Sequence, residues 1–155
     1  MNPRNLVAVG AAAALLLSYL AWDWYLSPHA RVERLLDRAA AAAEEKDFDG
    51  VLACLSPDYT GFRSMDYESL AEQLQEGFER VDRLNVTLRR VLAEVDGEEA
   101  TASFDATVVA IRGEQRFIIL GTVTQPERLR AQLRREEGEW KIHRVELSGD
   151  ENRVE

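Results

Sequence analysis

Three observations predict an α+β fold behind a hydrophobic amino-terminal helix. The run Leu6 to Trp22 (LVAVGAAAALLLSYLAW) carries no charge and only two polar side chains, Ser18 and Tyr19. Three segments between Ser27 and Val81 then repeat apolar residues at helical spacing. After Arg83 the period falls to 2 and stays there to Leu147. Helices gathered ahead of a run of strands place the helices on one face of an antiparallel sheet.

The hydrophobic run reads as an uncleaved signal anchor. Its 17 residues cover roughly 26 Å at about 1.5 Å each, against roughly 30 Å of hydrocarbon. Trp22, Trp24 and Tyr25 supply aromatic rings for the membrane–water boundary. A cleaved signal peptide shares the charged start at Arg4, but Ser18-Tyr19-Leu20-Ala21-Trp22 offers no small-x-small cleavage site. A buried soluble helix is the third reading. A short tail bearing one arginine favours an amino terminus in the cytoplasm. These features predict a tail and anchor over residues 1–26, a lipid bilayer as partner, and a single-pass inner-membrane protein with its domain outside the cytoplasm.

The first domain helix starts at Ser27-Pro28, an N-cap followed by the residue best tolerated at the first helical position. Val32, Leu35, Leu36, Ala39, Ala40 and Ala43 form its apolar stripe, and it ends near Lys46. Asp47 or Asp49 caps a short second helix carrying Val51, Leu52, Cys54 and Leu55, which Pro57-Asp58 stops. After a loop through Gly61, Ser64 or Asp66 caps a third helix with Tyr67, Leu70, Leu74, Phe78 and Val81 on one stripe. Gly77 weakens that helix by about 1 kcal/mol relative to alanine.

Strands follow. Leu84 to Val95 leads into Asp96-Gly97, a strong hairpin signal. Glu99 to Ile111 alternates Ala100, Ala102, Phe104 and Ala106 against Thr101, Ser103, Asp105 and Thr107. Arg116 to Thr124 is a third strand, Pro126 interrupts or bulges the chain before Leu129 to Arg135, and Trp140 to Leu147 closes the sheet. Residues 148–155 read as a flexible polar tail.

Composition narrows the function. With 19 Lys and Arg against 28 Asp and Glu, the formal net charge is −9. That disfavours nucleic acid, whose binding is dominated by phosphate neutralisation. One cysteine, Cys54, makes no internal disulfide. Two histidines, His29 and His143, lie too far apart in sequence to suggest a metal site, and no phosphate-cradling or nucleophile motif is present, so no cofactor is expected. Heavy use of Ala, Arg and Glu over Lys suits a high-GC bacterial genome.

Three stretches resemble the nuclear transport factor 2-like superfamily, which includes ketosteroid isomerase and SnoaL-like proteins: Ala41 to Leu52 (AAAEEKDFDGVL), the hairpin series Val86 to Thr124, and the closing Arg134 to Ile142 (RREEGEWKI). The resemblance implies a cone-shaped domain over residues 27–147, with three helices packed on a curved antiparallel sheet. It implies no single activity, since the superfamily hosts isomerases, dehydratases, hydrolases and non-catalytic modules. In its enzymes an Asp at the mouth of the cone acts as base, and a Tyr or protonated acid steadies an oxyanion.

On that pattern Tyr59, Asp105 and His143 are the candidate catalytic groups, each with a structural alternative. Tyr59 packs after the second helix, Asp105 is a solvated or interface residue on a polar strand face, and His143 is a strand-surface histidine. The strand at Arg116 is apolar on both faces, Phe117 and Ile119 against Ile118 and Leu120, so Ile118 and Leu120 are expected to be covered by a second copy or another protein. Arg128, Arg130 and Arg134 share a face and pair with Glu136, Glu137 or Glu146, or meet an acidic partner. The leading expectation is a membrane-anchored, non-catalytic interaction module or accessory subunit of a membrane assembly. The alternative is a small-molecule-binding or isomerase/dehydratase-type enzyme that uses the cone pocket.

Overall fold

The computed structural model describes residues 3–61 and 64–149, with the backbone alone for residues 3–9 and 23–26. Helix α1 spans Pro3–Leu26 and α2 spans Pro28–Glu44. Pro28 opens α2, and the Ser27 hydroxyl accepts a hydrogen bond from Ala30 N at 3.2 Å, so one of the orphan donors of the first turn is satisfied. Val32, Leu35 and Leu36 line its buried stripe. Each contributes about 1.5–3 kcal/mol relative to an exposed side chain. Helix α3 (Phe48–Ala53) is capped by Asp47, and α4 (Tyr67–Arg80) by Asp66. Asp47 and Asp66, not Asp49 and Ser64, carry the caps, because only they stand three residues before the amide they accept from, at Gly50 and Ser69.

The strands are β1 (Leu55–Gly61), β2 (Met65–Asp66), β3 (Arg83–Asp96), β4 (Glu99–Arg112), β5 (Gln115–Leu120), β6 (Glu127–Glu136) and β7 (Glu139–Leu147). They form one sheet in the order β2-β1-β7-β6-β4-β3, with β5 paired to β4. All pairs are antiparallel except β1 with β7. Helix α2 packs on β3 and β7, and α4 on β1. Ala100, Ala102, Phe104 and Ala106 turn inward from β4 and meet Leu129, Ala131 and Leu133 of β6 in the core with Trp140 and Ile142. The small alanines let the helices approach the sheet closely.

The β1 strand replaces the expected loop. Cys54 O accepts from Ile142 N at 2.9 Å, which starts the parallel ladder. Pro57 is tolerated because the β1–β7 register is irregular between Leu55 and Thr60. The predicted third strand is shorter than expected. It stops at Leu120, and residues 121–126 leave the ladder before β6 resumes alongside the other half of β4. Gly121 makes this exit possible: its φ is +58°, and a Cβ there would lie 2.7 Å from Glu127 N and 2.8 Å from Ala106 O.

The expected membrane anchor is overturned. Among the described residues no helix is long and apolar enough to cross a membrane. The single-pass inner-membrane location with a cytoplasmic amino terminus falls with the anchor. Trp22 is exposed on α1; the side chains of Trp24 and Tyr25 lie outside the described residues.

Candidate functional site

The inner face of the sheet, beneath α2 and α4, is apolar, and Tyr59 is its most informative polar group. Tyr59 is 5% exposed and packs in the core. Its ring lies over Gly61, where a Cβ would collide with the phenol. Glycine at 61 is therefore what admits the ring. Burial pushes the phenol up to about 12, so the group is a neutral hydrogen-bond donor across the ordinary pH range. Among the described residues no hydrogen bond occupies its hydroxyl, and the oxygen, unlike the ring, is not fully buried. Tyr67 and Leu70 of α4 pack against the same core, and Cys54 Sγ donates to Gly50 O at 3.4 Å.

Asp105 lies on the opposite face. The register pairs Asp105 with Arg89 on β3 and Arg128 on β6, one residue out of phase with inward-facing Phe104 and Ala106. It is not solvated as expected, being 3% exposed. Arg128 Nη1 donates to Oδ1 at 2.9 Å, and Arg90 binds Oδ2. The hydrogen bond from Arg128, followed by that from Arg90, holds the carboxyl below its usual range. A buried carboxylate clamped by two guanidinium groups is a poor general base, because proton uptake must break both contacts. Arg90 reaches it from a β-bulge, where Arg90 and Val91 of β3 together face Phe104 of β4 and Arg90 sits at φ +51°.

His143 is likewise off the inner face. It is the extra residue of a second bulge, between Ile142 and Arg144, which pair with the adjacent Leu133 and Gln132. The imidazole is half-buried, and its Nδ1 is buried without a hydrogen-bond partner among the described residues. It lines a groove of about 390 Å³ together with Glu99, Thr101, Gln132 and Arg134. Behind that groove, Arg134 Nη2 reaches Glu136 at 2.8 Å and Asp58 at 3.1 Å, and the Ser56 hydroxyl donates to Glu136 at 2.7 Å. The Ser56 bond, then Arg134, lowers the Glu136 carboxyl below its usual range, and Glu136 raises Arg134 in return. Of the expected acidic partners for the β6 arginines, Glu136 does pair with Arg134, while Arg128 takes Asp105.

The structure therefore separates the three candidates: Tyr59 on the inner face, Asp105 and His143 off it. The sequence gives no local sign that Arg90 and Arg128 meet at Asp105 or that Ser56 binds Glu136. A signal for the bulges existed in the phase of the apolar residues: Leu84, Val86 and Leu88 are followed by Val91, Ala93 and Val95, and Trp140 and Ile142 by Val145 and Leu147. Each phase change marks one inserted residue, Arg90 in the first case and His143 in the second. A second hollow, of about 300 Å³, lies between α2, α3 and β7, with Arg38, Glu45 and Lys141 at its rim. Lys141 Nζ is already used there, donating to Ala53 O at 2.5 Å. Among the described residues no group of three or more His, Cys, Asp or Glu side chains is placed to hold a metal ion.

On β5, Phe117, Ile118 and Ile119 are exposed, and Leu120 is half-buried against the core. A bulge between the Val108–Leu120 and Val109–Ile118 pairs puts Ile118 and Leu120 on opposite faces, where strict alternation would put them together.

No curated protein matches the chain. Solved structures do match in fold. An NTF2-like protein with a cystatin-like fold from Novosphingobium aromaticivorans has a TM-score of 0.65 at 18% identity, covering 88% of this chain and 92% of that one. A candidate scytalone dehydratase from Novosphingobium aromaticivorans DSM 12444 has a TM-score of 0.67 at 16% identity, covering 81% and 85%. A protein of unknown function from Mycobacterium tuberculosis has a TM-score of 0.63 at 22% identity, covering 76% and 68%. The expected membrane-anchored, non-catalytic interaction module is overturned: among the described residues no helix is long and apolar enough to cross a membrane, and the chain matches a SnoaL-like domain model. The SnoaL-like domain model matches residues 24–146, and the chain belongs to that family.

Proposed function

We propose that the protein binds a small, largely apolar molecule against the inner face of its sheet, with the Tyr59 hydroxyl donating a hydrogen bond to a carbonyl or other acceptor on the ligand. The observation that carries this reading is Tyr59 itself, a buried neutral phenol whose hydroxyl has no partner among the described residues. A donor that no protein group engages is free to meet a ligand acceptor, and a neutral hydrogen bond of that kind contributes about 0.5–1.5 kcal/mol. Binding without proton abstraction suits the site better than isomerisation, because Asp105 and His143 are off this face. The family membership and the candidate scytalone dehydratase among the fold relatives agree with a small-molecule role.

The test compares 2-acetylnaphthalene, which carries an acceptor, with naphthalene, which does not, by ligand-detected NMR and thermal shift. A neutral hydrogen bond of about 0.5–1.5 kcal/mol predicts about 2- to 13-fold tighter binding of the ketone. Tyr59→Phe is expected to abolish that preference while leaving naphthalene binding unchanged. Failure of both compounds to bind, or a preference that survives Tyr59→Phe, refutes the reading.

A further inference from the structure

The geometry points to a second ligand site on the outer face of the sheet, the groove between β4, β6 and β7, taking a small uncharged molecule rich in hydroxyl groups. The groove holds about 390 Å³ and is lined by Glu99, Thr101, Gln132, Arg134 and His143. That volume is at the lower end of small-molecule sites. The β7 bulge inserts His143 here, and its buried Nδ1 has no hydrogen-bond partner among the described residues. Buried polar atoms in native proteins are nearly always paired, so an orphan one just behind a groove wall leaves an imidazole that a small turn presents to a partner from outside the chain. Thr101 and Gln132 are cross-strand neighbours, so their hydroxyl and amide lie side by side on the same outer face, offering both donors and acceptors.

The charges at the rim select an uncharged ligand. Glu99 and Arg134 face each other across β4 and β6. Arg134 is already neutralised by Glu136 and Asp58. An anion would meet Glu99 with no uncommitted lining cation to favour it, and a cation would gain only the Glu99 carboxylate, a solvent-exposed charge that contributes little. A polyol depends on neither charge, and its hydroxyls match the mixed array of Thr101, Gln132 and His143. This site is independent of Tyr59, which lies on the other face.

Methyl glucoside, titrated to 100 mM into the full chain and followed by amide and imidazole NMR, is the test. Saturable shifts confined to Thr101, the Gln132 side-chain amide and His143 are expected, with affinity falling at least 10-fold in Gln132→Ala and in His143→Phe. Gln132 is exposed, so its truncation keeps the fold if the histidine variant does not. Unsaturable or scattered shifts, binding unchanged in Gln132→Ala, or tighter binding of acetate than of the glucoside would each overturn the proposal.

Discussion

Raising the pH titrates Tyr59 and reads its burial directly. The phenol ionises near its ordinary value of 10.0 in the unfolded chain and near 12 in the folded one. Between those values the folded state holds a proton the unfolded state has released, so stability is whole below pH 10 and falls as the pH rises through 12. Two pH units at about 1.36 kcal/mol each give a loss of about 3 kcal/mol. Other tyrosines and lysines also titrate in this range, so the useful quantity is a difference. Urea unfolding of the wild type and of Tyr59→Phe at pH 8, 10, 11 and 12 isolates it. At pH 8 the two proteins should lie within about 1 kcal/mol of each other, because the hydroxyl removed has no partner to lose. By pH 12, where the folded-state phenol is half ionised, the wild type should have lost about 2 kcal/mol more than the variant. Parallel curves would show that Tyr59 ionises as a solvated phenol and would remove the basis for placing a ligand acceptor beside it.

Asp105→Asn should be less stable than the wild type at pH 7; because the carboxyl is held low, the wild type loses this advantage as the pH falls below about 4, and acid unfolding monitored by circular dichroism should show the gap closing. Gly121→Ala should destabilise by more than about 2 kcal/mol in chemical denaturation, combining the left-handed backbone penalty with contacts to fixed backbone atoms; an unchanged midpoint would mean the 121–126 segment adjusts freely. Gly77→Ala should stabilise by about 1 kcal/mol, since nothing lies within 4 Å of the added Cβ in α4; a lower melting temperature would contradict the helix.

The helices were legible because their signals are local. Ser27-Pro28, Asp47 and Asp66 mark their own N-termini, and the α2 stripe of Val32, Leu35 and Leu36 faces the core as its spacing requires. The hairpin between β3 and β4 was legible for the same reason, although its turn residues are Gly97 and Glu98, one position later than the sequence suggested. The β1 strand was not legible. Its Pro57-Asp58 pair has turn chemistry, and the partner that makes it a strand, β7, lies some 80 residues away and runs parallel. No local pattern encodes such a pairing; only burial of Leu55 and Tyr59 beneath α4 selects it.

The site residues were hidden by the same separation of local from long-range information, with one exception that carries a lesson. Asp105 sits between Ser103 and Thr107, and its sequence neighbours read as a solvated face. The antiparallel register that brings Arg128 opposite it, and the bulge that brings Arg90, both lie outside that window. The bulges themselves are another matter. An inserted residue shifts every later side chain to the opposite face, so a strand that keeps its core on one side must shift its apolar phase to match. That shift occurs twice in this chain, across Arg90 and across His143, and both inserted residues carry chemistry, one clamping the buried carboxylate and the other lining the outer groove with an unpaired nitrogen. A change of phase within a strand is therefore a place to look for a re-aimed side chain, because the order of apolar residues alone records where the insertion falls.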